Sequence, residues 1–222
     1  SSNYQLYGDL SQRVMETLRQ FTPDLEVYSI DEAFLSLDGL SHLDLEAYAQ
    51  EIRARVKQWA GIPVSIGIGP TKTLAKVANH IAKRRTKTGV FDMRDQALQS
   101  EILESFPIKE IWGIARKWAK KLPDFGVETA LQLRQADPTI IRRHFTVVGE
   151  RIVRELNGVS CLPLESMTAK KNIMSSKSFG ALQTEFQPIA EALSCYAARA
   201  CEKMRGQKGP AGAFGQKPTV MN

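Results

Sequence analysis

Two short β-rich runs, Leu25-Glu26-Val27-Tyr28-Ser29-Ile30 and Ala33-Phe34-Leu35-Ser36-Leu37, are separated only by Asp31-Glu32. β-branched and aromatic residues at this density favour extended backbone, and so brief a break between such runs predicts a β-hairpin. The break is acidic and lacks the Asn-Gly or Asp-Gly pair of the tightest turns. Adjacent strand side chains point to opposite faces, so both carboxylates can enter one cleft only if the junction bends. Two carboxylates in one small site repel unless a cation lies between them, and hard oxygen donors select Mg²⁺ or Mn²⁺. Taken alone, the pair has a plainer account as a solvated hairpin tip.

The flanking pattern alternates helix and strand. Leu10, Val14, Leu18 and Phe21 recur at helical spacing behind Asp9 and Ser11 as candidate caps, and Pro23 ends that run. Tyr48, Ile52, Val56 and Trp59 form one stripe of a helix over 43–60. Residues 64–69 predict a strand turning directly into a helix over 71–85, and 89–91 a further short strand. The expected class is α+β, a small, mainly antiparallel sheet with helices on one face. From about residue 95 the strands stop. Helices over 116–122, 129–135, 139–144 and 149–156 predict a small all-helical domain closed by Asn157-Gly158. Residues 161–171 read as a linker, 172–180 as a strand, and 188–205 as a helix with Ile189, Leu193, Tyr196 and Ala200 inward. The last 17 residues carry four Gly and two Pro and predict a disordered or divergent tail over 206–222.

Charge is divided along the chain. The net is +6, yet residues 1–62 hold five Lys/Arg against ten Asp/Glu while residues 63–222 hold 25 against 14. An acidic front and a basic back point to a polyanionic partner, with the acids reserved for another task. No apolar run reaches 18 residues, so no membrane-spanning segment is expected. Three scattered cysteines without a CxxC pair exclude a disulfide framework or Cys-rich zinc module and fit a cytoplasmic protein. His42, His80 and His144 lack zinc-ligand spacing, and no GxSxG supports a serine nucleophile.

The basic residues fall in two places. Residues 67–89 contain Lys72, Lys76, Lys83, Arg84, Arg85 and Lys87 and no acid, behind a Gly-rich turn that is not a Walker A loop. Spacings of four and seven put Lys72, Lys76 and Lys83 on one helix face, which suits phosphate, though a solvated basic face is the simpler alternative. In residues 107–126, a short helix, a Gly113-Ile114-Ala115 turn and a basic helix suggest a helix-hairpin-helix. There, backbone amides around Gly113 and the side chains of Arg116, Lys117, Lys120 and Lys121 would grip DNA phosphates without reading bases. Ala115 stands where the motif prefers a second glycine. Trp59, Trp112 and Trp118 occupy apolar helical positions and read as core.

In combination, the blocks VYSIDEAFLSL, GIGPTKTLAKVANHIAK, IWGIARKWAKKL, RRHFTVVGERIVREL and SKSFG closely resemble the Y-family, translesion DNA polymerases, and within them the UmuC-type branch. The resemblance covers about residues 1–205. It implies a partial palm (1–93), a helical thumb (94–160) and the start of a little-finger domain (172–205). By motif, it makes Asp31 and Glu32 catalytic metal ligands for two Mg²⁺ ions, or Mn²⁺. It makes Lys83 a triphosphate contact, with Lys72 and Lys76 on phosphate and Lys177 along the template. Primer-template DNA and dNTP are implied as substrates. A processed UmuD-like subunit, a recombinase filament and a sliding clamp are implied as partners in the SOS response. The family's first carboxylate and its fingers have no counterpart here, so the chain is expected to be a fragment that does not extend a primer by itself. Two other classes stay open: a non-catalytic damaged-DNA-binding module, and another palm-type enzyme such as a nucleotide cyclase.

Overall fold

The computed structural model describes residues 3–40, 42–165 and 173–206. They fall into two units, divided after Ser166. The first begins with helix α1 (Tyr4–Leu18), capped by Asn3, whose side chain accepts from the Leu6 amide. Asp9 and Ser11, the expected caps, lie inside the helix instead. An earlier polar residue with a suitable side chain reaches the free amides first, so helix growth continues through them. Phe21 lies beyond the helix end, yet still packs edge-on against Tyr48 at 5.8 Å. Helix α2 (Leu45–Ala60) is capped by Asp44 and terminated by Gly61 in the left-handed conformation. Met15, Leu18, Ile52 and Val56 form the buried contact between α1 and α2. Trp59 departs from the expected stripe: it is 48% exposed, with the Arg55 guanidinium over its ring at 5.0 Å.

The hairpin forms as strands β1 (Leu25–Val27) and β2 (Ala33–Leu35), antiparallel with Glu26 opposite Phe34. Strand β3 (Ile66–Ile68), helix α3 (Lys72–Arg85) and strand β4 (Val90–Asp92) make a second ribbon, in which β3 and β4 are parallel. The expected single, mainly antiparallel sheet is therefore two two-stranded ribbons among the described residues, one of each kind. The cause is the crossover: a helix between two strands returns the chain to the same end, so the strands run the same way. Gly67 permits the close approach of β3 to α3, since a Cβ there would collide with the backbone of Ala75, Ala78 and Asn79.

After β4 the first unit is helical, as expected: α4 (Gln96–Ser105), α5 (Arg116–Lys121), α6 (Ala130–Gln135) and α7 (Pro138–Leu156). Helix α7 breaks at Phe145 and Thr146, between the two helices read from the sequence; Thr146 has φ 65°. The main core joins the inner face of α3, through Leu74, Val77, Ala78 and Ile81, to Leu103, Leu122, Leu133, Phe145, Ile152 and Leu156 of the helical part.

Past α7, residues 161–165 of the expected linker are bound to the first unit. The Cys161 amide donates to buried Glu155, and the Glu165 amide to buried Glu26, at 2.7 Å each. Residues 166–172, including the start of the expected strand, lie outside the described residues, as does the tail from 207. In the second unit, residues 173–180 form no strand. They are bonded by side chains of α8 (Phe186–Gly206): Lys203 donates to the Met174 carbonyl and Tyr196 to that of Lys177. A strand needs a bonded neighbour strand, and a helix flank cannot supply one. The expected inward face of α8 is only partly covered, with Ile189 41% and Leu193 36% exposed.

Candidate active site

The β1–β2 loop bends sharply. The amides of Tyr28 and Ser29 both donate to the Glu32 carbonyl at 3.0 Å, so Ser29, Ile30 and Asp31 form the tip. The bend turns the two adjacent acids toward one cavity of about 830 Å³, walled by α1, α2, β2, β3 and α3. Asp31 is exposed and accepts from Ser29 Oγ at 2.6 Å, while the Asp31 amide donates back to that hydroxyl at 3.3 Å. Glu32 is half-buried and accepts from Lys76 Nζ through both oxygens, at 2.6 and 2.7 Å. Lys76 sits over the ring faces of Tyr28 at 5.3 Å and Trp112 at 5.8 Å. Lys83, two helical turns further along the same face, lines the cavity beside Asn79. It is exposed and makes no ion pair among the described residues.

Four of the expected site residues, Asp31, Glu32, Lys76 and Lys83, thus share one cavity. Lys72 does not. It is bound to Glu26, donates to the Pro163 carbonyl at 2.9 Å, and lies over the Phe34 ring at 5.1 Å, with 10% of its side chain exposed. The absence of acids within 67–89 therefore does not leave Lys72 and Lys76 uncompensated, because Glu26 and Glu32 of the hairpin supply the charge. The α3 N-terminus is likewise served from a distance. The Thr73 amide donates to the fully buried Glu155 at 3.1 Å, and Thr71 Oγ1 caps Leu74 and donates to the Glu155 carbonyl.

The helix-hairpin-helix region is built as a single 3₁₀ turn (Ile108–Glu110), then Gly113 at φ +87°, then α5. At Gly113 a side chain would be strained by that φ and would meet Ile152 Cδ1 at 2.9 Å. Arg116, Lys117 and Lys120 are exposed on α5, and no acid occupies its first turn. Trp112, just before the turn, is half-buried and donates from Nε1 to the Tyr28 hydroxyl at 3.0 Å. It joins the basic helical part to the acidic loop and is not simply core; Trp118 is, against Phe145 at 5.7 Å. Lys177 is exposed in the second unit.

The donor set at the loop tip fits a hard divalent cation: two carboxylates on consecutive residues, facing an open cavity. No group of three or more His, Cys, Asp or Glu able to hold a metal occurs among the described residues. Any such ion would complete its shell with water or with oxygens of a bound molecule, the usual situation for Mg²⁺ beside phosphates. Sequence reasoning missed Glu26, Glu155 and Trp112. Only Glu26 left a trace, as a lone charge within an otherwise apolar strand.

Residues 1–80 match the model of the impB/mucB/samB family. The chain is 47% identical over 211 residues to Protein UmuC of Salmonella typhimurium, covering 93% of this chain and 50% of that protein. It is 34% identical over 158 residues to DNA polymerase IV of Ectopseudomonas mendocina, covering 70% and 44%. The solved structure of a Y-family DNA polymerase chimera superposes with a TM-score of 0.62 at 26% identity, covering 76% of this chain and 49% of that one. The chain spans about half the length of the curated relatives it matches. No described helix is long and apolar enough to cross a membrane.

Proposed function

Given that the chain belongs to the impB/mucB/samB family, we propose that it is the partial palm, thumb and first little-finger residues of an error-prone translesion DNA polymerase of the SOS response. The observation that carries this reading is the bent loop that sets Asp31 and Glu32 against the lysine-bearing face of α3 across one cavity. Asp31 and Glu32 would hold Mg²⁺ or Mn²⁺ together with the primer 3′-hydroxyl and phosphate oxygens of the incoming nucleotide. When bound, such ions stabilise the attacking and leaving oxygens of an in-line phosphoryl transfer. Lys83, exposed at the cavity rim, binds the triphosphate as a point charge. Lys76 acts on Glu32, and Lys72, enclosed by Glu26, supports the loop instead of meeting phosphate. The Gly113 turn with Arg116, Lys117 and Lys120 holds the DNA backbone without reading sequence, and Lys177 follows the template strand. In the complete protein the partners are primer-template DNA and dNTP, with a processed UmuD-like subunit, a recombinase filament and a sliding clamp.

A second reading, damaged-DNA binding without catalysis, is favoured by one observation: Lys76 already neutralises Glu32. Replacement of Asp31 by Asn in the full-length protein separates the two. The polymerase reading expects primer extension opposite a template lesion to fall by about a hundred- to a thousandfold while DNA affinity is retained. Undiminished extension by that variant overturns it. Neutralising Arg116, Lys117 and Lys120 together is expected to weaken DNA binding and to lower the slope of log affinity against log salt by about three; an unchanged slope removes α5 from the DNA interface.

A further inference from the structure

Both oxygens of Glu32 are bonded to one ammonium, Lys76 Nζ, at 2.6 and 2.7 Å. A divalent cation held by the same carboxylate would compete with that ammonium, since two cations so close repel strongly in a half-buried site. The pair is not sealed: the side chains are 21% and 31% exposed, and the cavity opens beside them. Lys76 also has somewhere to go. The faces of Tyr28 and Trp112 flank its ammonium, and the hydrogen bond from Trp112 Nε1 to the Tyr28 hydroxyl fixes the two rings relative to each other. An ammonium over aromatic faces keeps a favourable interaction after losing its carboxylate. A four-carbon stem with rotatable bonds permits a short withdrawal.

Resting on the reading of Asp31 and Glu32 as metal-holding carboxylates, we propose that Lys76 is the resident counter-ion of Glu32 and that a divalent cation enters by exchange with it. Lys76 is a positioning residue: before the cation arrives, it keeps Glu32 turned into the cavity, as Ser29 keeps Asp31. The exchange costs the ion pair, so the vacant site binds cations more weakly than its two carboxylates alone would. Premature loading is opposed, and the loop keeps its shape in the interval.

The test is Mn²⁺ titration of the full chain without nucleotide, reading the free aqua ion by electron paramagnetic resonance. Lys76→Met is expected to bind Mn²⁺ roughly three- to fivefold more tightly than the parent. Lys76→Arg, which keeps the charge, is expected to bind no more tightly. Lys57→Met, which removes a lysine from the last turn of α2, controls for net charge and is expected to match the parent. Should Lys76→Met lose its helical circular dichroism, Lys76→Gln keeps a donor to Glu32 without charge and is expected to tighten binding likewise. If Asp31→Asn removes Mn²⁺ binding while the Lys76 variants equal the parent or the Lys57 control, the exchange is wrong and the metal site stands. If Asp31→Asn and Glu32→Gln leave Mn²⁺ binding unchanged, the metal-site reading fails and the exchange fails with it.

Discussion

Lys72 and Lys76 stand one helical turn apart on α3, and each meets a glutamate of the same hairpin, yet the two pairs do different work. Lys72–Glu26 is almost closed from solvent, at 10% and 9% side-chain exposure, and is further tied to the Pro163 carbonyl and the Glu165 amide. Lys76–Glu32 is more exposed, at 21% and 31%, and borders a cavity. A third rung follows four residues later, where His80 lies 4.0 Å from Glu110, at 24% and 38% exposure. The first two rungs are lysine–glutamate ion pairs, and burial sorts them; in the third, burial favours the neutral imidazole. A buried pair that is also tied to the backbone on both sides holds elements together. A pair open on one side can exchange its cation.

The sharpest way to break that comparison is to remove the cation from each rung. Lys72→Met leaves Glu26 buried with an uncompensated charge and is expected to cost about 3 kcal/mol, read as a lower urea midpoint by circular dichroism. Replacing both partners, Lys72→Met with Glu26→Leu, is expected to recover most of that loss, because no charge is then left unpaired. Lys76→Met is expected to cost less than about 1 kcal/mol, since water screens its pair. Equal losses at the two rungs would show that exposure does not divide them. Tyr28→Phe falls between, at about 1 kcal/mol: it removes the acceptor of Trp112 Nε1 and is expected to shift the Trp112 fluorescence toward the solvated maximum.

The rungs also mark what the sequence could and could not reveal. The hairpin, the β3-α3 turn and the α5–α7 series were legible because each depends on local pattern: alternation, a Gly-bounded strand, helical periodicity. The break at Phe145-Thr146 was legible as a gap between two apolar stripes. The pairing of Lys72 with Glu26 was not, because the partners are 46 residues apart, and nothing in an acid-free helix says which strand will face it. A longer separation, 82 residues, hid Glu155, which serves the α3 N-terminus from the end of α7. Asp31 and Glu32 were found by type and adjacency, but the bend that turns both into one cavity is a property of the loop hydrogen bonds to the Glu32 carbonyl.

The third rung gives the smallest effect and the cleanest test of the trend. Burial is the largest influence on His80 and pushes it below its ordinary value of 6.5; Arg84 adds to that, and Glu110 opposes it. His80 also packs edge-on against Phe106, at 5.0 Å. With the folded value lowered, the unfolded chain takes up the proton first as pH falls. Stability associated with neutral His80 is therefore present above about pH 6.5 and declines as acidification carries the group through its unfolded value toward its lower folded one. Thermal melts of the parent and of His80→Asn between about pH 7.5 and 5 are expected to show the parent losing slightly more on acidification. If the parent gains relative to His80→Asn in that window, Glu110 outweighs burial, and the third rung is a true ion pair like the other two.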